Sequence, residues 1–334
     1  MNKYLLLVTD SHLGINQSSD VWHEIVLNLF KDIRDTCIKR GIRTIVHLGD
    51  FFHYRKSTNT KTLEIAYQIE SILSEVQHTY IIIGNHDTYF KDQIIPTSLQ
   101  IFQDSKTITV IDKVTQLENL VLVPWNQHVR GMDARGKYCF GHFEFNGFYM
   151  NNNRVCDKGM DPMDIEIAGF EHIYSGHFHG AHTQGNITYL GAPYPQTFND
   201  VGGSKGYYIF DNGKLEFIEF TGAPKFIKIH SEMAVEPEVI EGNVVKLVFT
   251  KDYGTVQNEK LVNRIKSFKP FSVSVDFSKI SNEDIEGREE EEDSISLLSN
   301  LDILKEYAMK KKTPENINKK TLMEMIEKLS EEIE

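Results

Sequence analysis

The chain predicts an α/β fold, a layered sandwich of sheets and helices. Three observations carry this. Apolar runs alternate with stretches of helical period near the N-terminus, short strands then follow with few helices between them, and acids, amides or imidazoles stand directly after five of the apolar runs. In open α/β sheets the carboxyl ends of strands form the ligand crevice, so those polar groups can converge.

The elements follow in order. "KYLLLV" (3–8) and "RTIVHL" (43–48) read as buried strands. Between them Trp22, Ile25, Val26, Leu29, Phe30, Ile33 and Cys37 recur at helical spacing, and Gly41 suits the C-terminal cap. A second helical stretch, about 61–77, leads to the strand "YIIIG" (80–84), which completes βαβαβ. Short strands follow at 107–111, 119–123, 137–140, 172–175, 187–190, 206–210 and 215–220. Gly191-Ala192-Pro193, Gly202-Gly203 and Asn212-Gly213 suggest antiparallel hairpins among them.

The sandwich is expected to span 1–222. A small α+β unit at 223–280 reads as strand, helix, strand: "VVKLVFT", "NEKLVNRIKSF", "FSVSVDF". An acidic linker (281–293) and C-terminal helices (294–334) follow, in two stretches of about 294–311 and 314–333. In the last, Leu322, Met325, Ile326, Leu329 and Ile333 form one apolar stripe.

Composition narrows the class. The 334 residues are 40% hydrophobic, enough for a sizeable core. No run approaches the roughly 18 apolar residues of a membrane span. "YLLLV" runs straight into Thr9-Asp10, which reads as a first strand rather than a signal peptide. Cys37, Cys139 and Cys156 are odd in number and scattered, which argues for a reducing cytosol and against a disulfide frame or a zinc-thiolate site. A cytoplasmic protein without membrane association is expected. The net charge of −12 by itself disfavours nucleic acid. Eight acids and one arginine between Glu283 and Asp293 contribute −7 of it, however, leaving −5 for the rest. Such a run is usually a solvated linker.

The chemistry lies after the strands. "TDSHLG" carries Asp10 and His12; "LGDFFHYRK" carries Asp50, His53 and Arg55; "GNHD" carries Asn85, His86 and Asp87; "GHFEFNG" carries His142; "GHFHG" carries His177 and His179. A lone strand-end Asp is usually a turn residue, and a lone His is usually structural. Six of the thirteen histidines fall in these segments, which points to a metal site. Mixed imidazole and oxygen donors without thiolate suit Mn²⁺, Fe or Zn rather than Ca²⁺. Seven such donors fit two ions with one carboxylate between them, an arrangement suited to phosphoryl transfer.

In this order, D-x-H, G-D, G-N-H-D, G-H and G-H-x-H resemble the five motifs of the calcineurin-like metallophosphoesterases, over residues 9–180. The resemblance implies an αββα metallophosphoesterase sandwich. It also implies Asp10, His12 and His179 on one ion, Asn85, His142 and His177 on the other, and Asp50 bridging. A bridging hydroxide would be the nucleophile. His86 would contact the scissile phosphate and protonate or stabilise the leaving oxygen, with Asp87 orienting its ring. Protein phosphatases of the family show GDxxDRG and GNHE, from which this chain departs. "GDFFHYRKST", "GHFEFNGF" and "YLGAPYPQTF" (189–198) resemble the SbcD/Mre-type nuclease subunits of double-strand-break processing complexes, most closely the short ones of T-even-type phages.

That branch implies two Mn²⁺ ions, with Mg²⁺ as a substitute, and DNA exonuclease and endonuclease activity in recombination, replication and repair. It further implies a 223–280 capping and DNA-binding unit, C-terminal helices that bind an SbcC/Rad-type coiled-coil ATPase, and a homodimer through helices near Trp22–Phe30 or 62–77. A phage-encoded chain would act in the host cytoplasm. His53, where some relatives have Asp, takes an auxiliary role in phosphate handling.

Arg55 and Lys56 are candidate contacts for DNA phosphates, against a merely solvated loop. Tyr194 and Phe198 are candidates to guide a strand end by stacking, against loop packing. Trp125 is expected in the core near the metal site. Lys310-Lys311-Lys312, Lys319 and Lys320 read as a solvated helix junction or a contact to DNA or an acidic partner. Two other functions compete: a phosphodiesterase or phosphatase acting on a small nucleotide, which would need neither cap nor C-terminal helices, and a catalytically silent scaffold, against which seven intact ligand positions speak.

On extended chain His177 and His179 project to one side, and the resemblance sends them to different ions. His177→Ala and His179→Ala are therefore expected to empty different positions, seen by anomalous scattering at the metal edge. Loss of the same ion from both variants would refute the division.

Overall fold

A computed structural model describes residues 4–127, 137–151, 154–166, 169–200 and 202–278. The acidic linker, the C-terminal helices and the end of the 223–280 unit lie outside the described residues.

Four parallel strands open the chain: β1 (Leu5–Val8), β2 (Thr44–His47), β3 (His78–Ile82) and β4 (Ile108–Ile111). Helices Asp20–Arg40 and Thr60–Leu73 make the first two crossovers. The first helix ends at Gly41, whose φ of 65° lets its N–H return to the carbonyls of Cys37 and Ile38. The second begins where the Asn59 side chain accepts from the Thr62 N–H at 2.8 Å. It stops at Leu73, short of the expected 77. The His78 N–H already bonds to the Arg43 carbonyl in the sheet, and residues 74–77 turn the chain there.

A second sheet follows. β5 (Thr115–Leu117), β6 (Leu120–Val123) and β7 (Tyr138–Gly141) precede a small separate hairpin of β8 (Tyr149–Asn151) and β9 (Arg154–Val155). β10 (His172–Ser175), β11 (His182–Gln184) and β12 (Ile187–Tyr189) complete it in the order β11-β12-β10-β7-β6-β5. β13 (Gly206–Asp211) and β14 (Lys214–Glu219) return to the first sheet, where β13 lies antiparallel to β1.

The antiparallel expectation is corrected in part. β6, β7, β10 and β12 pair parallel, while β5–β6, β11–β12 and β13–β14 are antiparallel. Asn212-Gly213 makes the hairpin read from it, with φ of 49° and 90°. Gly191-Ala192-Pro193 and Gly202-Gly203 instead lie in the long β12–β13 connection. Turn residues mark where a strand ends, but the pairing direction depends on the crossover.

Alternation along β1 shows how the layers stack. Leu6 and Val8 face the helices with Val26, Leu29, Phe30 and Ile69, while Leu5 and Leu7 face the second sheet with Leu122, Phe140, Tyr174 and Phe210. The outer face of the second sheet packs under Phe143, Phe145, Phe148 and Phe170. Among the described residues the chain between β9 and β10 forms one short helix, Pro162–Glu166.

The unit after residue 222 is three parallel strands: β15 (Phe226–His230), β16 (Val244–Val248) and β17 (Ser272–Asp276), with helix Thr255–Ser267 between the last two. Its own core is Ile229, Ile240, Val245, Leu247, Phe249 and Ile265. The strand-helix-strand reading lacked β15. Trp22 joins this sheet to the sandwich, with its ring 6.0 Å from those of Phe226 and Phe271. Among the described residues no helix is long and apolar enough to cross a membrane. The three cysteines are free and buried.

Leu29 is fully buried between the first helix and the sheet. Leu29→Ala is expected to cost about 2–5 kcal/mol, lowering the urea midpoint with an unchanged slope. A midpoint within error of the wild type would contradict this packing.

Candidate active site

The first two strand ends are zipped together. The Asp10 N–H donates to the Gly49 carbonyl at 3.0 Å, His12 N–H to Asp50 O at 3.0 Å, and Leu13 N–H to Phe51 O at 2.7 Å. Two later segments then lean on these carboxylates. The His86 N–H donates to Asp50 Oδ1 at 2.7 Å, and the His177 N–H donates to the Asp10 carboxylate at 3.1 Å. Strands of both sheets thus deliver all seven expected ligand positions to one place.

Among the described residues three groups of donor atoms result, one of them His12 with His53 and His86, and the other two built from the expected ligands. Those of Asp10, His12 and His179 lie within 4.8 Å of one another, and so do those of Asp50, His142 and His177. Asn85 Oδ1 joins the second group, 2.9 Å from His142 Nε2 and 2.8 Å from His177 Nδ1. Asp50 faces both: Oδ1 is 3.4 Å from His142 Nε2, and Oδ2 is 3.6 Å from His12 Nε2. His177 and His179 fall in different groups, though not by the expected route. His177 has φ 86°, so the chain is bent rather than extended where the two diverge.

The backbone is strained at these positions. Asp10, His12, Asp50 and His177 all have positive φ, at 51°, 44°, 56° and 86°. Such residues cost about 1–3 kcal/mol each and cluster at functional sites. Close approach also requires glycine. A β-carbon on Gly84 would collide with the Asp50 backbone and carboxylate, and one on Gly176 would collide with Thr9 Oγ1 and come within 2.9 Å of His142 Nδ1.

Electrostatics fit a cation here. Burial drives the His177 imidazole down to about 3 and His12 well below its usual range, so both rings are neutral donors. Burial opposes charge on His142 too, but Asp50 and Asp10 outweigh it and raise that ring to about 9. Burial acts to raise Asp50, yet His142 holds it well below the usual carboxylate range. The Asp50 carboxylate and a charged His142 ring thus favour one another. The donor set of imidazoles, buried carboxylates and an amide oxygen suits divalent ions.

His86 and His53 flank the groups. Their rings stack with centroids 5.5 Å apart, and His53 Nδ1 is 3.3 Å from His12 Nδ1. The His86 ring is oriented by the His53 carbonyl, to which Nδ1 donates at 2.6 Å. Asp87 does not orient it. Its buried carboxylate accepts from the N–H groups of Gly84, Phe52 and Phe51, at 2.9, 2.9 and 3.3 Å. It therefore staples the Asp50 loop to the Asn85 loop, and burial followed by the Asp50 charge raises it to about 7. An acid beside a histidine in sequence is easily taken for its partner, although here it points into the backbone.

Tyr194 is also reassigned. It is fully buried and its hydroxyl donates to the Ser11 carbonyl at 2.6 Å, so no strand end can stack on it. Phe198 packs on Phe226, with centroids 5.0 Å apart. Arg55 is half-buried, with Nη1 unpartnered in the protein, and Lys56 is exposed. Trp125 lies near the second group, its ring 5.2 Å from His177 and 5.9 Å from His142.

A family profile described as "Calcineurin-like phosphoesterase" matches residues 4–181, more than half of the chain. The chain belongs to the calcineurin-like phosphoesterases. This member is 30% identical over 231 residues to "Exonuclease subunit 1" of Enterobacteria phage T4, covering 64% of this chain and 67% of that protein. It is 35% identical over 86 residues to "DNA double-strand break repair protein Mre11" of Saccharolobus solfataricus, and 27% over 119 residues to the protein of that name from Sulfolobus acidocaldarius. These cover 25% and 35% of this chain but only 22% and 31% of the two archaeal proteins. Family and ligand groups together make the chain a metal-dependent phosphoesterase.

Metal binding should therefore release protons. His142, raised to about 9, would carry a proton at pH 7.5 and would have to lose it to coordinate an ion, whereas His12 and His177 are lowered. Release of at least one proton is expected, from His142 and from His179, whose ring burial opposes charging but Asp200 and Asp10 raise; the His142 part fades as pH rises through 9. Calorimetry in buffers of different ionisation enthalpy measures it, and a binding enthalpy independent of buffer would contradict it.

Proposed function

We propose that this phosphoesterase is a Mn²⁺-dependent DNA exonuclease and endonuclease subunit of a recombination and double-strand-break processing complex. The observation that carries it is Asp50 facing both ligand groups with separate oxygens. The names of the relatives supply the substrate class: one is called an exonuclease subunit and two are called double-strand-break repair proteins.

In this reading Asp10, His12 and His179 hold one Mn²⁺, Asn85, His142 and His177 hold the other, and Asp50 lies between, with Mg²⁺ as the substitute. Bound divalent ions supply Lewis acidity at the phosphoryl oxygens. The chain does the rest. Gly84 and Gly176 let loops close on Asp50 and His142. His86, with Nδ1 anchored on the His53 carbonyl, presents Nε2 to the leaving oxygen. Stacked on His86 and next to His12, His53 steadies the phosphate side. Arg55 and Lys56, on the same loop, are the proposed contacts to DNA phosphates.

The wider assembly belongs to the same reading. The 223–280 unit caps the site and binds DNA, the C-terminal helices dock on an SbcC/Rad-type coiled-coil ATPase, and two copies pair in the host cytoplasm. Trp22 and Phe30 are themselves buried, so pairing through the first helices would use exposed Val21, Ile38 and Tyr67.

The test compares linear DNA with bis-p-nitrophenyl phosphate, in Mn²⁺ and with the ATPase present. Cleavage of the small ester but not of DNA would sink the nuclease reading. His86→Ala is expected to lower DNA cleavage about 10²–10⁴-fold with unchanged metal stoichiometry. Undiminished cleavage would remove His86 from the mechanism.

A further inference from the structure

The β12–β13 connection lies beyond the last ligand motif, yet it grips one ligand group at four points. Tyr194 Oη donates to the Ser11 carbonyl, and Gln196 Nε2 to the Asp10 carbonyl, each at 2.6 Å. Lys205 Nζ donates to the His179 carbonyl at 2.5 Å. Asp200 Oδ1 stands 3.4 Å from His179 Nδ1. All four reach Asp10, His179 or the residue following Asp10.

Asp200 is itself held fast. Its other oxygen, Oδ2, accepts from the N–H groups of Gln196 and Thr197 at 3.2 and 2.9 Å and from Thr197 Oγ1 at 3.1 Å. Lys205 Nζ lies 3.8 Å from Oδ1, and the two side chains are only 5% and 10% exposed. A buried carboxylate needs such partners, and with three donors on one oxygen only Oδ1 is left to face His179.

We propose that Asp200, balanced by Lys205, is a positioning residue that presets His179 for the first ion. A carboxylate beside Nδ1 draws the ring proton to that nitrogen and leaves the Nε2 lone pair facing the His12 ring, 3.2 Å away. The second group lacks this device: His142 Nδ1 faces the neutral Leu48 carbonyl at 2.8 Å, and His177 uses Nδ1 itself toward Asn85. The two positions are therefore unequal, the first backed by a fixed anion and the second by a peptide carbonyl. The role rests on reading Asp10, His12 and His179 as the ligands of one ion.

Two measurements on the full-length chain test it. In metal-free protein, long-range ¹H–¹⁵N spectra of the imidazoles should show His179 protonated at Nδ1, and Asp200→Asn should move the proton towards Nε2. In Mn²⁺ titrations followed by electron paramagnetic resonance, Asp200→Asn should weaken one of two ions about 10- to 100-fold, the same ion that His179→Ala removes. Thr197→Val takes away the hydroxyl that donates to Oδ2 and accepts from the Asn199 N–H at 3.2 Å, and leaves both backbone N–H donors on Oδ2 in place. It should move both readouts the same way by a smaller factor, which serves if Asp200→Asn does not fold. An unchanged tautomer with two ions at wild-type affinity would overturn the proposal. The tautomer is read without metal, so it decides the role of Asp200 separately. A wild-type chain that binds fewer than two ions would count instead against the ligand reading.

Discussion

One buried carboxylate organises this molecule. Asp50 is 2% exposed, and a charge so placed is costly unless groups of opposite character surround it. The chain meets that cost from several directions: His142 on one oxygen, His12 near the other, and the His86 N–H on the first. Each comes from a different strand end. To bring them together the fold must align the carboxyl ends of strands from two sheets, and the parallel pairing of β1–β3 and of β7 with β10 does so.

The remaining structure reads as support for that convergence. Positive φ at Asp10, His12, Asp50 and His177 is tolerated because both sheets and two buried cores hold the flanking strands rigid. Asp87 adds a second buried acid whose task is structural, tying backbone to backbone. The β12–β13 connection closes the ring from outside through Tyr194, Gln196 and Lys205. Phe198, in the same connection, packs on Phe226 beneath the Lys246 ammonium, 4.6 Å from its ring, so the small sheet touches the segment that supports the ligands.

Sequence and structure part company where side chains choose between neighbours. The helical spacing of Trp22 to Cys37 and the cap at Gly41 were legible, since helix contacts are local. Pairing direction in the second sheet was not, since Gly191 or Gly202 can serve a hairpin or a wide loop equally well. Asp87 looked like the partner of His86, and Tyr194 like an open stacking surface. Both are buried against backbone that lies over 30 residues away in sequence, Phe52 for Asp87 and Ser11 for Tyr194. Asp200 carried no motif at all, and only its 3.4 Å approach to His179 gives it meaning.

The sequence by itself determined the inventory and its order: which residue types stand after which apolar run, and hence the family and the chemistry available to it. Metal-ligand chemistry needs particular donor atoms, and donor atoms are written in residue identity. The tertiary structure alone decided how those donors divide into two groups, that Asp50 faces both, and which neighbouring acids serve backbone rather than rings. Those are matters of distance and direction between segments far apart in the chain, set by how two sheets pack on shared cores.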